Sequence, residues 1–255
     1  ISASHNPFEH NGVKIFGGQG RKLSDQLEEE VERLIDNFEQ CKPAVGPAVG
    51  RILRIEQSAC QEYAAHVAQA GNSLAGLRIA ADCANGAASQ TAPEIFRLLD
   101  ARCDFIFCRP DGVNINAGCG STHLEALAQK VKEGGYDVGI AFDGDADRCL
   151  MVDETGQTID GDQIMGVIAA DMQQRGVLKG GLVATVMSNL GLHAFLKENE
   201  VPIVTTKVGD RFVLERMMQD GWNIGGEQSG HVILSDYATT GDGELTAITF
   251  LQILK

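Results

Sequence analysis

Basic side chains are scarce: 21 lysines and arginines stand against 35 aspartates and glutamates, a formal net charge of −14. A chain this acidic lacks the broad basic face that neutralises phosphates, which excludes nucleic acid and an anionic membrane as partners. An anionic small molecule stays open, provided bases gather locally in one cleft. Long apolar runs are missing too: no stretch nears the ~18 residues of a membrane span, and no signal peptide is visible. The seven cysteines are odd in number and contain no C-x-x-C pair. They read as reduced, buried thiols of a cytoplasmic protein, not as a disulfide or zinc framework. Nor is there a G-x-S-x-G elbow, so acyl transfer from a serine fits poorly.

What is present is ordinary globular sequence, 44% hydrophobic and 22% charged over 255 residues, more than one core's worth. The chain opens on Ile1 rather than Met and closes at Lys255 inside an apolar helical run. Both ends lead us to expect an interior stretch of a longer protein.

ISASHNPFEHNGVKIF reads as a polar loop running into a short strand at Val13 to Phe16. Asp25 then caps a helix with Glu28 as its capping-box partner, and Leu27, Val31, Leu34 and Phe38 keep helical spacing. CKPAVGPAVG is the linker candidate. Beyond it, apolar strands (77–82, 104–108, 137–143, 149–153, 182–187, 202–206) alternate with helices. The helices fall at 58–70, 93–99, 124–132, 162–174, 190–198 and 211–219, with a last one after Gly243. This alternation predicts an α/β fold of consecutive βαβ units with mixed, mainly parallel sheets and right-handed crossovers. Three strands end in polar, glycine-containing turns (IAADCANGA, IAFDGDADR, VATVMSNLG), and such carboxyl-end loops carry ligand sites.

The sharpest chemical signal is FDGDADR. Asp143, Asp145 and Asp147 put three carboxylates within five residues straight after an apolar strand. In a shielded cleft, charges this close either take up protons or share a hard divalent cation such as Mg²⁺ or Ca²⁺. A solvated acidic turn is the plain alternative. An EF-hand loop fails on its backbone: acids stand at its positions 1, 3 and 5 and Glu154 at 12, but position 6, which needs Gly, is Arg148. Arg148 suits a fixed cation beside a phosphoryl group.

Ser4, flanked by His5 and Asn6 and followed by Pro7, is a nucleophile only if activated or faced by a charged electrophile. In GGEQSGH, Glu227, Ser229 and His231 alternate between glycines, an arrangement suited to vicinal sugar hydroxyls; a polar hairpin is the bland reading. In KVGDR, Lys207, Gly209, Asp210 and Arg211 precede a helix, whose amino end favours anions. Ser121, at the end of GVNINAGCGSTH, reads as a helix cap, Asp82 and Asn85 as turn-shaping residues, and TTGDG as a helix start. His66, His123 and His193 lie on or near helices and read as surface or core residues.

Taken in order and at these separations, ASHNP, DGDADR, KVGDR and GEQSGH resemble the α-D-phosphohexomutase superfamily along the whole chain. GVNIN followed by CGSTH, with GEQSGH and TTGDG, resembles its bacterial phosphoglucosamine mutase branch more than the phosphomannomutase/phosphoglucomutase branch, which usually has Met where Gln228 stands. The resemblance implies four domains around a cleft. Residues 1–50 would end domain I, 51–153 form domain II with the metal loop, and 154–255 form domain III with the sugar loop. The rest of the first domain and the fourth, with its Arg-Ser-Gly-Thr phosphate grip, would be the missing partners, and the isolated stretch would be inactive.

The resemblance further implies phosphoserine at Ser4, and Mg²⁺ held by its phosphate with Asp143, Asp145 and Asp147. Lys14 would be a general acid/base, Arg148 a stabiliser of the transferring phosphoryl, and His231 a phosphate contact or proton relay. Sugar and phosphate contacts would come from His5, Lys207, Gly209, Asp210, Glu227, Ser229 and His231. Glucosamine 6-phosphate would become glucosamine 1-phosphate through a 1,6-bisphosphate, with glucosamine or glucose 1,6-bisphosphate as activator, feeding UDP-N-acetylglucosamine and cell-wall synthesis. The sister phosphomannomutase/phosphoglucomutase activity and a non-catalytic metal-binding module are the competing readings.

Overall fold

Polar, glycine-containing turns cut the chain into short strands and helices that stack as two α/β layers. The structure is a computed structural model and describes residues 2–18, 20, 22–51 and 56–255. Helix α1 (Asp25–Asp36) comes first, capped by Ser24, whose Oγ accepts from the Leu27 amide at 3.4 Å. The cap is therefore one residue earlier than the expected Asp25, which instead opens the first turn. The expected strand at 13–16 does not form: Ser2–Gly12 and Phe16–Lys22 pair only as isolated bridges, and Val13 is 70% exposed with no sheet edge to join. The linker at 41–50 is exposed throughout. It runs up to residues 52–55, which lie outside the described residues.

The first layer contains α2 (Glu56–Ala68), β1 (Arg78–Asp82), α3 (Ala88–Leu98), β2 (Arg102–Ile106), α4 (Glu125–Gly134), β3 (Val138–Phe142), β4 (Cys149–Asp153) and β5 (Thr158–Ile159). Its strand order is β2-β1-β3-β4-β5, parallel through β3 and antiparallel after it. The second contains α5 (Gly161–Gln174), β6 (Leu182–Thr185), α6 (Leu190–Glu198), β7 (Ile203–Thr206), α7 (Asp210–Asp220), β8 (Ile224–Gly226), β9 (Val232–Leu234) and α8 (Gly243–Leu254). Its order is β7-β6-β8-β9, again parallel until the last pair. The mixed, mainly parallel α/β architecture is as expected. The short β5, β8 and β9 were not anticipated, because two or three residues carry no readable period.

Strands buried on both faces read as unbroken apolar runs, and all five residues of β3 are buried. One large core joins both layers, from Ile79, Ile140 and Phe142 to Met165, Leu182 and Leu251. All seven cysteines are unbridged. Ser121 does not cap α4: it is buried and its amide donates to Phe142 O at 2.9 Å, while α4 starts four residues later. No described helix is long and apolar enough to cross a membrane.

Candidate active site

Each layer ends its parallel run in an antiparallel hairpin, and the two hairpin tips carry the sharpest sequence signals. Phe142 pairs with Cys149, so residues 143–148 form the first tip; Gly226 pairs with Val232, so 227–231 form the second. The expected sugar loop is thus a hairpin tip set on strands. Cys149 N donates to Gly230 O at 3.0 Å, which binds one tip to the base of the other.

In the first tip, one carboxylate oxygen from each of Asp143, Asp145 and Asp147 lies within 4.8 Å of the others. Asp143 is 1% exposed, and its Oδ1 accepts from the Arg148 amide at 3.1 Å. Asp143 Oδ2, Asp145 Oδ1 and Asp147 Oδ1 are buried with no hydrogen-bond partner. Burial first, then the charges of Asp147 and Asp145, push the Asp143 carboxyl up to about 8. Burial also opposes ionisation of Asp147, but His231, Lys14 and Arg148 outweigh it and hold its carboxyl far below the usual range. Three neighbouring carboxylates, each with an oxygen that makes no hydrogen bond, form a donor set that fits a hard divalent cation.

The Ser4 loop is fastened to this tip by its backbone. Ser4 O accepts from the Gly144 amide at 3.0 Å and from Asn116 Nδ2 at 2.8 Å, and Asn116 also donates to Asn6 O at 2.7 Å. Gly144 is required by this approach, since a Cβ there would stand 2.5 Å from Ser4 O. Ser4 itself sits at φ 52°, a left-handed conformation that costs energy in a non-glycine residue and persists only where surroundings enforce it. Its Oγ lies 3.5 Å from His5 Nδ1. The Ser2–Gly12 bridge folds the loop back and delivers Lys14 to the triplet, where Nζ donates to Asp145 and lies 3.4 Å from Asp147 Oδ2. Burial alone would lower the Lys14 pKa, but bonding to Asp145 and the charge of Asp147 raise it, so the ammonium form is held.

His231 links the two tips. It is 4% exposed, with Nδ1 3.6 Å from Asp147 Oδ2 and Nε2 3.8 Å from Asp210 Oδ2. Asp210 opens α7 and also receives Lys22 Nζ at 2.5 Å. Glu227 Oε1 accepts from the Gly209 amide at 3.0 Å, and Ser229 Oγ is buried without a partner. Ser4, Lys14, the three aspartates, Arg148, His231, Asp210, Gly209 and Glu227 are therefore joined in one continuous contact chain. Lys207, exposed on the turn after β7, and Ser229, whose Oγ has no hydrogen-bond partner, stand outside it.

Sequence reasoning passed over Asn116 and Lys22. Both act across more than a hundred residues of chain, so no local pattern marks them. Asp82 and Asn85 shape turns as expected: Asp82 accepts from the Ala84 and Gly120 amides at 2.8 Å each, and Asn85 from Arg109 N at 3.1 Å.

Comparison with known proteins follows the same layout. The chain matches family models described as phosphoglucomutase/phosphomannomutase, alpha/beta/alpha domain I over residues 1–42, domain II over 61–156 and domain III over 160–255. It is 52% identical over 259 residues to the phosphoglucosamine mutase of Caldicellulosiruptor saccharolyticus, covering 100% of this chain and 58% of that protein. The phosphoglucosamine mutase of Azorhizobium caulinodans is 52% identical over 257 residues, with the same shares covered. The chain thus spans little more than half the length of these curated relatives. A crystal structure of a phosphoglucomutase/phosphomannomutase family protein from Burkholderia thailandensis superposes with a TM-score of 0.82 at 25% identity, covering 100% of this chain and 54% of that one. An N-acetylphosphoglucosamine mutase of Aspergillus fumigatus, solved with GlcNAc-6P and magnesium, superposes at 0.58 and 22% identity over 78% of this chain and 50% of its own. With three domain models of one family matched in chain order on a fold that agrees with them, the chain belongs to the phosphoglucomutase/phosphomannomutase family of α-D-phosphohexomutases.

Proposed function

We propose that this chain is the catalytic middle of a cytoplasmic mutase that interconverts glucosamine 6-phosphate and glucosamine 1-phosphate. Residues 1–50 would close domain I, 51–153 form domain II and 154–255 form domain III, with flanking sequence supplying the rest of the cleft. The observation that carries the reading is the pairing of Ser4 with the aspartate tip: Gly144, inside that tip, donates to Ser4 O at 3.0 Å, beside three carboxylate oxygens with no partner. The relatives at 52% identity, both phosphoglucosamine mutases, support the sugar.

Asp143, Asp145 and Asp147 would hold Mg²⁺, together with a phosphate oxygen on Ser4. When bound, the ion supplies charge stabilisation to the transferring phosphoryl group. Ser4 Oγ carries the phosphoryl and gives it to O1 of glucosamine 6-phosphate; the new O1–P bond forms as the Ser4 Oγ–P bond breaks, and the O1 proton passes to His231, which gives it to the departing O6 in the return step. Lys14, held as ammonium by Asp145 and Asp147, protonates the departing Ser4 Oγ and takes that proton back in the return step. Arg148, whose buried Nε makes no hydrogen bond and lies 4.0 Å from Asp147 Oδ1, stabilises charge on the equatorial oxygens. Glu227 and Ser229 hold the sugar hydroxyls, with His5, Lys207, Gly209 and Asp210 on the remaining sides. His231, between Asp147 and Asp210, contacts phosphate or relays a proton. The 1,6-bisphosphate turns over in the cleft and returns its 6-phosphoryl to Ser4, and added glucosamine or glucose 1,6-bisphosphate would restore enzyme that had lost its phosphate.

The test compares kcat/KM for glucosamine, glucose and mannose 6-phosphates, using the protein with its native flanking sequence. Preference for glucosamine supports the proposal. Preference for mannose or glucose would move the chain to the sister activity. No phosphoryl transfer to any of the three would leave a metal-binding module.

A further inference from the structure

Behind the aspartate tip, at the start of α8, stand two carboxyl groups that no mechanistic step uses, Glu244 buried and Asp242 half-buried. Glu244 is 3% exposed, and both of its oxygens accept from Thr91 Oγ1, at 2.9 and 2.8 Å. Asp242 caps α8 by accepting from Leu245 N at 2.9 Å, and its Oδ1 also accepts from the Tyr63 hydroxyl at 2.9 Å. Tyr63 and Thr91 lie on α2 and α3, in the first layer; α8 belongs to the second. Burying a carboxyl costs free energy that an apolar residue of the same size would avoid. Something beyond burial therefore calls for Glu244 here.

The turn between these two acids touches both hairpin tips. The Gly243 amide donates to Ala146 O at 2.9 Å, inside the aspartate tip, and a Cβ on Gly243 would stand 2.4 Å from Arg148 O. The Asp242 amide donates to Val232 O at 3.2 Å, on the second hairpin, and a Cβ on Gly241 would stand 2.3 Å from His231 Nε2. Residues 241–243 thus lie wedged between the tip that carries Asp143, Asp145 and Asp147 and the tip that carries Glu227, Ser229 and His231. Ala146 itself is at φ 59°, so its tip takes a conformation that needs outside support.

We infer that Glu244 is a positioning residue: through Thr91 it anchors the 241–243 wedge to the first layer, and the wedge sets the aspartate tip at its working distance from the sugar-facing hairpin. Burial and the neighbouring charge of Asp242 push the Glu244 carboxyl up to about 8, against the lowering effect of Thr91. Glutamine at this position keeps the neutral hydrogen-bonding shape. This role presupposes the phosphoryl-transfer reading given above.

The experiment uses the protein with its native flanking sequence and the variants Glu244→Gln, Glu244→Leu, Thr91→Val and the Glu244→Leu/Thr91→Val double. Misplacing reacting groups by a fraction of an ångström lowers turnover more than binding, so Glu244→Leu should lower kcat roughly tenfold to a hundredfold while KM stays within about twofold. Glu244→Gln should keep kcat within about threefold, and the double variant should lose no more than Glu244→Leu alone, because one joint is broken once. Hydrogen exchange gives a readout independent of turnover: Gly243 and Cys149 amides should exchange about tenfold faster in Glu244→Leu but not in Glu244→Gln. A Glu244→Leu protein with wild-type kcat and unchanged exchange at these amides would overturn the inference and leave the mutase reading standing. A lowered melting temperature with an unchanged kcat would likewise reduce Glu244 to a structural residue. A wild-type protein without phosphoryl transfer would overturn both.

Discussion

The two sheets are built alike and end differently. In the first, β1, β2 and β3 run parallel in the order β2-β1-β3 and β4 turns back; in the second, β6, β7 and β8 run parallel in the order β7-β6-β8 and β9 turns back. The scaffold thus presents the same hairpin tip twice. One tip holds three carboxylates with orphaned oxygens, and the other holds Glu227, Ser229 and His231. The difference teaches that the fold fixes where chemistry happens, while five or six residues at each tip decide which chemistry it is. One tip concentrates negative charge that a cation must balance. The other spaces its polar groups apart, a carboxylate, a hydroxyl and an imidazole that stands between Asp147 and Asp210.

Breaking the first tip should have the largest effect. Asp145→Ala removes one of the proposed metal ligands and the partner of Lys14, and should lower phosphoryl transfer about a thousandfold or more, the loss of several kcal/mol of charge stabilisation. Calorimetric titration with Mg²⁺ should show weakened binding in the same variant. Breaking the second tip should cost less: Glu227→Gln should lower kcat/KM roughly tenfold to a hundredfold, the scale of one hydrogen bond to a charged group, and leave Mg²⁺ affinity intact. If both variants lost metal affinity equally, the division of labour between the tips would be wrong.

Smaller effects sharpen how other elements serve the tips. Asn116→Ala removes two hydrogen bonds to the Ser4 loop from a buried residue at φ 56°, and should slow transfer about tenfold and lower the melting temperature by several degrees. The pH dependence of stability separates the tips from their support. Glu244, raised by burial from 4.5 to about 8, binds its proton more tightly folded than unfolded. Its stabilising contribution is complete below about 4.5 and is lost as pH rises towards about 8. Wild type should therefore lose stability relative to Glu244→Gln across that window, measured by denaturant midpoints at each pH. A flat difference would mean that the carboxyl is ionised throughout.

What could be read from the sequence was what is local. The aspartates stand at alternate positions of one short loop, so their spacing alone put a cation beside a solvated acidic turn as a reading, and the helices past residue 56 carry a period long enough to see. The short strands β8 and β9 have three residues each and two glycines between them, and no alternation survives at that length. Val13 to Phe16 shows the opposite failure: the pattern suits a strand, but the segment meets no sheet edge and Val13 and Ile15 stay exposed. Asn116 and Lys22 act on partners far away in the chain, Ser4 and Asp210, so only folding reveals them. Ser121 looked like a cap because serine before an apolar run usually is one. Here its amide serves β3 instead.

The most direct measurement follows a phosphate on the serine held against the carboxylate cage. The protein with its native flanking sequence is labelled by a ³²P bisphosphosugar, digested, and its peptides are identified by mass spectrometry before and after unlabelled glucosamine 6-phosphate is added. The account predicts label on the peptide containing Ser4 and nowhere else, chased into sugar phosphate on mixing, with no label in Ser4→Ala. Interconversion of the sugar phosphates by a Ser4→Ala protein, or label resting on another residue, would contradict it.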